Sequence, residues 1–369
     1  MPEYPDVLPV LTLPFRTAHL AGIGGRIRVH DDDFAVDEVP AYDPIGEGDH
    51  VFVRIEKRGL TTPQAATVLA RAANVPVRDV GWAGMKDRHA VTRQWLSLPP
   101  PARPEQIEAF NGGGVTVLAA IRHRHKLRTG HLQGNRFALV VRDIGDADRA
   151  ASGARAVLDA LANASPNWYG EQRFGARGDN ASTGLAIIRA GGKGGGAPRQ
   201  KRLLVSAFQS YLFNQWLAER ITDGLYEAVL VGDVLQKRAS GGIFTSSEPE
   251  VDQPRVAAGE LAVTGPMFGA AMRSPPDGSP AHLREARLID AHALGPADFA
   301  PLGGLATGTR RAGSIQLGDP QVEVAEAGAI RITFTLPSGA YATAILREVQ
   351  KPNEDVKDSH SSLESAEDE

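Results

Sequence analysis

The 369-residue sequence contains no cysteine, which excludes disulfide bridges and thiolate metal sites. It also lacks any run of about 18 consecutive apolar residues, so no membrane-spanning helix is predicted. The N-terminal segment from Met1 to Pro5 has neither the basic nor the apolar region of a signal peptide. These absences lead us to expect a cytoplasmic protein with no membrane partner.

The glycine motifs of nucleotide and cofactor binding are missing as well. The run from Gly191 to Gly196 surrounds Lys193, but it lacks the Lys-Ser or Lys-Thr ending of a phosphate loop, and no suitable apolar strand leads into it. An RNA methyltransferase would need a glycine-rich cofactor loop after a strand, and none is present. We therefore expect no nucleotide and no small-molecule cofactor.

A metal site is poorly supported. The histidines His123, His125 and His131 lie close together in the chain. Zinc sites of this kind usually add cysteine or a carboxylate, and neither is nearby. We therefore expect no metal and interpret the segment as phosphate-binding.

The bulk composition is that of a soluble globular protein, with 42% hydrophobic and 23% charged residues. A chain of this length is too long for one ordinary domain. We therefore expect two domains, each with its own core.

The net charge of −4 hides an uneven distribution. Residues 353–369 contain seven acidic residues and one lysine, a net of −6, which leaves +2 for the rest of the chain. Serine and acidic residues dominate this tail, and so few apolar residues predict a disordered acidic tail.

Two stretches of the remaining chain are basic and contain no acidic residue, residues 109–142 and residues 180–218. The first includes Arg122, Arg124, Lys126 and Arg128. Such clustering indicates a surface that faces RNA phosphates, although solvated charge on ordinary loops is the alternative.

Asp87 lies in a glycine-flanked charged loop, within the stretch from Gly81 to Trp95. Glycine permits conformations and close approaches that a side chain would block, and loops held between ordered elements often carry the chemistry. The alternative is a solvated turn in which Asp87 pairs with Lys86 or Arg88.

The hydrophobic periodicity predicts a mixture of strands and helices. The predicted strands cover residues 26–39 as a pair, 50–55, 115–121, 135–141 and 330–336. The predicted helices begin at Thr62-Pro63, at Ser206 as a core helix, and at Tyr341.

The string Gly84-Met85-Lys86-Asp87-Arg88 resembles the signature of the TruD family of tRNA pseudouridine synthases, whose aspartate is catalytic. Further blocks resemble the family at Asp33 to Val36, Asn135 to Phe137, Trp168 to Gly175, and Phe334 to Thr343. The resemblance implies that Asp87 is catalytic and that the uridine contacts are Phe34, Asn135, Phe137 and Phe334. For the phenylalanines, positions in the core are the alternative.

The resemblance also implies the fold, an α+β pseudouridine synthase catalytic domain with a mainly antiparallel sheet, interrupted by an α/β TruD-type insertion domain. Residues 1–164 and 306–352 would form the catalytic domain, residues 165–305 the insertion, and residues 353–369 the disordered tail.

The implied function is isomerisation of uridine to pseudouridine in tRNA, at position 13 of the D-arm, by a monomer. An ionised aspartate can act as nucleophile at C1′ of the ribose or at C6 of the base without a cofactor. A cation should lie beside it, with Lys86, Arg88 or a residue from a distant strand as candidates; in an extended loop Lys86 would point away. A non-catalytic tRNA-binding protein is the alternative. Such a protein would have no need for an aspartate between the basic residues Lys86 and Arg88.

Overall fold

The computed structural model describes residues 7–193 and 196–351, so the predicted acidic tail lies outside the described residues. The strands are β1 (Phe34–Pro40), β2 (His50–Lys57), β3 (Gly81–Trp82), β4 (Val91–Leu98), β5 (Asn111–Gly112), β6 (Val115–His123), β7 (Leu132–Val141), β8 (Ser165–Pro166), β9 (Val234–Lys237), β10 (Ile243–Thr245), β11 (Leu261–Met267), β12 (Thr309–Ala312), β13 (Ser314–Ile315), β14 (Gly318–Glu326) and β15 (Ala329–Pro337). The α-helices are α1 (Thr62–Ala72), α2 (Pro104–Ile107), α3 (Ala147–Leu161), α4 (Asn180–Arg189), α5 (Pro198–Thr222), α6 (Pro249–Ala257), α7 (Pro280–Asp290) and α8 (Ala342–Gln350).

The described chain divides into two compact units. The first contains residues 20–159, 317–342 and 349–351, and the second contains residues 7–19, 160–316 and 343–348. The domain boundaries predicted at 164/165 and 305/306 stay a prediction. No helix among the described residues combines the length and apolar character needed to cross a membrane.

The first unit is built on a large sheet whose described strands run in the order β14-β15-β7-β1-β4-β2-β6-β5, with β3 also paired to β4. All of these pairings are antiparallel except that of β1 with β4, where Ala35 lies opposite Val91. The prediction of an α+β fold with a mainly antiparallel sheet is confirmed.

One face of this sheet packs against α1. In β2, the alternating residues Val51, Val53 and Ile55 are fully buried and share a core with Leu69 of α1. Helix α1 begins after Thr61, whose side chain caps the helix in a reciprocal arrangement with Gln64. The predicted strand and helix are therefore confirmed, although the cap lies one residue earlier than the pattern predicted.

The second unit is organised around α5. Phe208, Leu212 and Trp216 of this helix are buried, which confirms the prediction of a core helix, although the helix begins at Pro198 and not at the predicted Ser206. Trp216 packs so closely on β11 that a Cβ at Gly265 would lie 2.4 Å from its ring. This unit contains a sheet in the order β10-β9-β11-β12 and the small pair β13-β8.

The predicted strand pair over residues 26–39 is wrong in its first half. Residues 26–30 form only an isolated bridge between Arg26 and Arg142, and the continuous strand begins at Phe34. Arg28 has a φ of 59°, a left-handed conformation that interrupts an extended strand. The alternation of Ile27 and Val29 imitated a strand that the backbone does not form.

Candidate active site

The loop of residues 83–90 joins β3 to β4 and carries Asp87. The neighbouring Lys86 turns inward, where its Nζ donates to Glu38 at 2.6 Å and its amide donates to the Thr62 hydroxyl at 2.9 Å. The side chain of Asp87 remains 41% exposed. The loop is therefore anchored by the residue before Asp87 while the carboxylate itself stays accessible.

Glycine is required at the start of β3, two residues before this loop. A Cβ at Gly81 would lie 2.3 Å from the carbonyl oxygen of Leu127 and 2.6 Å from the hydroxyl of Ser97. Two residues later, the carbonyl oxygen of Ala83 accepts a hydrogen bond from the amide of Gly130 at 2.8 Å. The chain leading to Asp87 is therefore packed directly against the loop of residues 124–131, which we call the basic loop.

The cation beside Asp87 is Arg28. Its guanidinium lies 2.9 Å from the Asp87 carboxylate and 4.2 Å from the centroid of the Phe34 ring. The stack on Phe34 orients the guanidinium, because a cation over an aromatic face is attracted to the ring. Arg28 therefore fixes the carboxylate of Asp87 relative to the aromatic residues of the sheet.

The two neighbouring candidates for this cation make other contacts. Lys86 pairs with Glu38, and the Nε of Arg88 donates to the carbonyl oxygen of Gly59 at 3.1 Å. Neither forms an ion pair with Asp87 in the described ranges. The expectation that Lys86 points away from Asp87 is confirmed, and the third candidate, a residue distant in sequence, is the partner. Arg28 does not lie on a strand, however.

The structure brings the three predicted phenylalanines together. In the sheet, Phe137 of β7 lies opposite Val36 of β1 on one side and Phe334 of β15 on the other. The ring centroids of Phe34 and Phe137 are 6.3 Å apart, and those of Phe137 and Phe334 are 5.6 Å apart. All three rings are buried. They form a continuous apolar cluster, which we call the aromatic floor. Their burial is what the alternative of core positions predicts, and their contact with uridine stays a prediction.

Asn135 lies two residues before Phe137 in β7, so both side chains are on the same face of the sheet. Its Oδ1 is buried and has no hydrogen-bond partner among the described residues. A buried carbonyl oxygen without a donor is costly, so the hydrogen-bonding capacity of this oxygen is unused in the described structure.

A model of the family described as tRNA pseudouridine synthase D (TruD) matches residues 12–194 and 197–349. The chain belongs to the TruD family. The tRNA pseudouridine synthase D of Anaeromyxobacter dehalogenans strain 2CP-C is 48% identical over 349 residues, which cover 93% of this chain and 98% of the relative. That of a Thermus thermophilus strain is 41% identical over 342 residues, covering 92% of each. This TruD chain is therefore an enzyme, a tRNA pseudouridine synthase.

A solved structure agrees with this result at the level of the fold. The crystal structure of a protein from Methanosarcina mazei, assigned as a tRNA pseudouridine synthase D, matches this TruD chain with a TM-score of 0.76. The match covers 92% of this chain and 96% of the other, at 22% sequence identity. At that identity the likeness shows a shared fold.

The four predicted RNA-backbone residues of this TruD chain lie at the end of β6 and in the basic loop. Arg122 donates to the carbonyl oxygen of Gly48 at 3.2 Å, while the exposed Arg124 pairs with Glu47. Lys126 is half-buried and Arg128 is exposed. Their contact with RNA stays a prediction, but the basic loop lies against the start of the Asp87 loop.

A cluster of aromatic and imidazole rings holds the two ends of the basic loop. Tyr42 stacks on His123 with 5.3 Å between ring centroids, and its hydroxyl forms a 2.7 Å hydrogen bond with Nδ1 of His131. Phe52 packs on His123 from another side at 4.3 Å. Burial lowers the pKa of His123, and nearby positive groups including Arg124 add to the effect. Ring contacts therefore hold His123, a hydrogen bond holds His131, and no group of three potential metal ligands occurs in the described part of the chain.

Sequence reasoning missed Glu38 and Lys57, although a signal was present. Glu38 continues the buried face of β1 that begins with Phe34 and Val36, and Lys57 continues the apolar face of β2. Both are buried. A charged residue at a position that the two-residue period assigns to the core requires a partner, and both lie at the Asp87 loop. For Arg28 no comparable signal exists.

Proposed function

We propose that this chain isomerises uridine to pseudouridine in tRNA with Asp87 as the nucleophile, and that its target is uridine 13 of the D-arm. The observation that carries the proposal is the pairing of Asp87 with Arg28 over Phe34. It orients a partly exposed carboxylate beside the aromatic floor, which is where a flipped uridine would need to be attacked.

The reaction is an isomerisation and needs no co-substrate, with only protons exchanged with water. The Asp87 carboxylate attacks either C1′ of the ribose or C6 of the base, the N1–C1′ bond breaks, and the base rotates. C5 then bonds to C1′, Asp87 is released, the proton on C5 passes to water, and N1 takes up a proton from water. Arg28 supplies the positive charge that keeps the attacking carboxylate in place.

Uridine recognition is assigned to the aromatic floor and Asn135. Removing a base from its stack costs a few kcal/mol, which apolar contact within a pocket offsets. Phe34, Phe137 and Phe334 are assigned this apolar contact, which requires tRNA binding to uncover rings that are buried in the free protein. The unpartnered Oδ1 of Asn135 can accept a hydrogen bond from N3–H of the uracil ring, which would select uracil over cytosine because cytosine has no proton at N3.

The tRNA backbone is assigned to the basic residues Arg122, Arg124, Lys126 and Arg128. Because the basic loop packs on the chain leading to Asp87, phosphates bound there would lie close to the nucleotide being modified. Arg124 would exchange its exposed pairing with Glu47 for a phosphate, an exchange that costs little because exposed ion pairs are weak. Since tRNA is the substrate, we place the activity in the cytoplasm, and we propose a monomer.

The experiment is to incubate the enzyme with tRNA transcripts labelled with tritium at C5 of uridine and to map the modified position by carbodiimide treatment and primer extension. We expect tritium release and a primer-extension stop one nucleotide on the 3′ side of position 13, which assigns the pseudouridine to that position. A transcript with cytidine at position 13 should release no tritium. Release from that transcript at the same rate would contradict the assigned position, and no release from any tRNA would contradict the proposed activity.

A further inference from the structure

A lysine is buried beneath the Asp87 loop. Lys57 is the last residue of β2, and its side chain is fully inaccessible to solvent. Its Nζ donates to the carbonyl oxygen of Asp87 at 2.6 Å and to that of Leu60 at 2.7 Å. One ammonium group therefore ties the main chain at Asp87 to the turn that follows β2.

This burial is costly for a lysine. Desolvation lowers the pKa of Lys57 to about 8, with Asp87 acting to raise it and Lys86 to lower it further. Its hydrogen-bond partners among the described residues are main-chain carbonyl oxygens and include no carboxylate. An apolar side chain of similar volume would fill such a site with less loss of hydration. Packing alone therefore does not explain a lysine here.

The position of Lys57 complements that of Arg28. Arg28 contacts the carboxylate of Asp87, whereas Lys57 contacts its main-chain carbonyl oxygen. The carboxylate of Asp87 is joined to its main chain by a side chain with only two rotatable bonds. Because Arg28 holds the carboxylate and Lys57 holds the main chain, the carboxylate can occupy few positions.

We infer that Lys57 is a positioning residue for the proposed reaction, holding the main chain of Asp87 so that its carboxylate meets the uridine in the reactive geometry. The inference rests on the proposed function of Asp87. It assigns to Lys57 no contact with RNA. Loss of Lys57 should therefore slow the chemical step and leave tRNA affinity unchanged, because a misplaced nucleophile lowers the rate without altering the binding surface.

The test compares Lys57→Met with Lys351→Met. Lys351 also donates to a main-chain carbonyl oxygen, that of Leu20 at 2.9 Å, which lies outside the Asp87 loop. We expect Lys57→Met to lower the single-turnover rate of tritium release about 100-fold, the cost of displacing a reactive group by about an ångström, with unchanged tRNA affinity. Amide hydrogen exchange over residues 83–90 should be faster in Lys57→Met and unchanged in Lys351→Met.

Chemical rescue shows whether the rate loss comes from the missing amine of Lys57 or from general damage to the fold. Because the sequence contains no cysteine, Lys57→Cys has a single thiol. Alkylation of the unfolded variant with 2-bromoethylamine restores a primary amine at the length of lysine. After refolding, the alkylated protein should recover the rate and the slow exchange, and the mock-treated protein should recover neither.

The outcomes distinguish this inference from the proposed function. If wild type is active and Lys57→Met reacts at the wild-type rate with unchanged exchange, the role of Lys57 is contradicted while the proposed function stands. If wild type releases no tritium, the proposed function fails and the reactive role of Lys57 falls with it. A rate loss that alkylation does not repair also overturns the inference.

Discussion

The guanidinium of Arg28 lies 2.9 Å from the carboxylate of Asp87, although 59 residues separate the two in the chain. The same guanidinium stacks on Phe34, so one side chain links the carboxylate to the aromatic floor. A nucleophile on a loop would otherwise be free to move. The proposed chemistry depends on this linkage.

Replacing Arg28 should therefore slow the reaction more than it weakens binding. We expect Arg28→Met to lower the single-turnover rate about 100-fold, the typical effect of removing one charged or donor group from an active site. Arg28→Lys should lose less, because it keeps the charge but not the planar stack on Phe34. Single-turnover kinetics with tritiated tRNA would measure both.

The matched control for these variants is Arg26→Met. Arg26 is also an arginine in an ion pair, with Asp143 at 3.1 Å, but its side chain is 68% exposed. The control should retain the wild-type rate. Equal rate losses at positions 26 and 28 would show that the effect comes from net charge and not from contact with Asp87.

The basic loop should govern the salt dependence of tRNA binding. Replacing Arg124, Lys126 and Arg128 together by alanine should weaken binding and reduce the log–log slope of affinity against salt by about 0.7 for each phosphate that is no longer bound. A control of equal charge replaces three exposed arginines outside the two acid-free stretches, Arg71, Arg149 and Arg331. If both triple variants shift the slope equally, the basic loop is not a specific interface.

Asp33 should stabilise the first unit through its pairing with Arg142. Asp33 is buried and lies 2.8 Å from Arg142. Burial acts to raise the pKa of Asp33, but hydrogen bonds from Arg142 and His30 outweigh it and leave that pKa lowered. We expect Asp33→Ala to reduce the free energy of unfolding by about 2 kcal/mol, the typical worth of hydrogen bonds to a charged group, because Arg142 is partly exposed and keeps its pairing with Glu326.

Chemical denaturation near neutral pH would measure this loss. The control is Asp32→Ala, because the Asp32 side chain is 71% exposed in its pairing with Arg58 and its removal should change stability little. Because the folded-state pKa of Asp33 is lowered, its contribution should be present at neutral pH and lost as the pH falls through that pKa. A penalty that persists unchanged in acid would contradict the ion-pair explanation.

Lys57 should give the protein an alkaline pH dependence. Its folded-state pKa of about 8 lies below the ordinary value of 10.5. Between these values the unfolded chain binds more protons than the folded chain, so the contribution of Lys57 to the free energy of unfolding rises with pH. Below about pH 8 Lys57 is charged in the folded protein, and the desolvation of that buried charge lowers the free energy of unfolding in full.

Thermal unfolding of wild type and Lys57→Met from about pH 7 to about pH 10 would test this dependence. The difference between them should change in favour of wild type as the pH rises. Asp87 and Lys86, the charged groups that influence Lys57, are present in both proteins. A difference that stays constant across this range would show that Lys57 does not titrate there.

The sequence predicted the framework because its signals are local. Alternation in β2 and β15 reports which side chains face the core, and the block around Asp87 resembles a family signature over consecutive residues. The same local reasoning failed at residues 26–30. Apolar and polar residues alternate there although the backbone at Arg28 is left-handed. Alternation in the sequence does not by itself show that the backbone is extended.

The contacts of the Asp87 loop could not be predicted because they join distant segments. Arg28, Glu38 and Lys57 come from three separate places in the chain and meet only after β1, β2 and β4 have paired. Lys57 and Glu38 could have been suspected as charges on buried faces. Which carbonyl oxygen or carboxylate each would contact depends on the path of the loop, which no local pattern specifies.

The central claim is that Asp87 is the nucleophile, and Asp87→Asn tests it most directly. Asparagine keeps the size of the side chain but removes its charge and its nucleophilic oxygen. The measurement is tritium release from tRNA labelled at C5 of uridine, alongside tRNA affinity for the same preparations. We predict that Asp87→Asn binds tRNA as wild type does and releases no tritium, whereas release at a rate near that of wild type would show that Asp87 is structural and contradict the proposed mechanism.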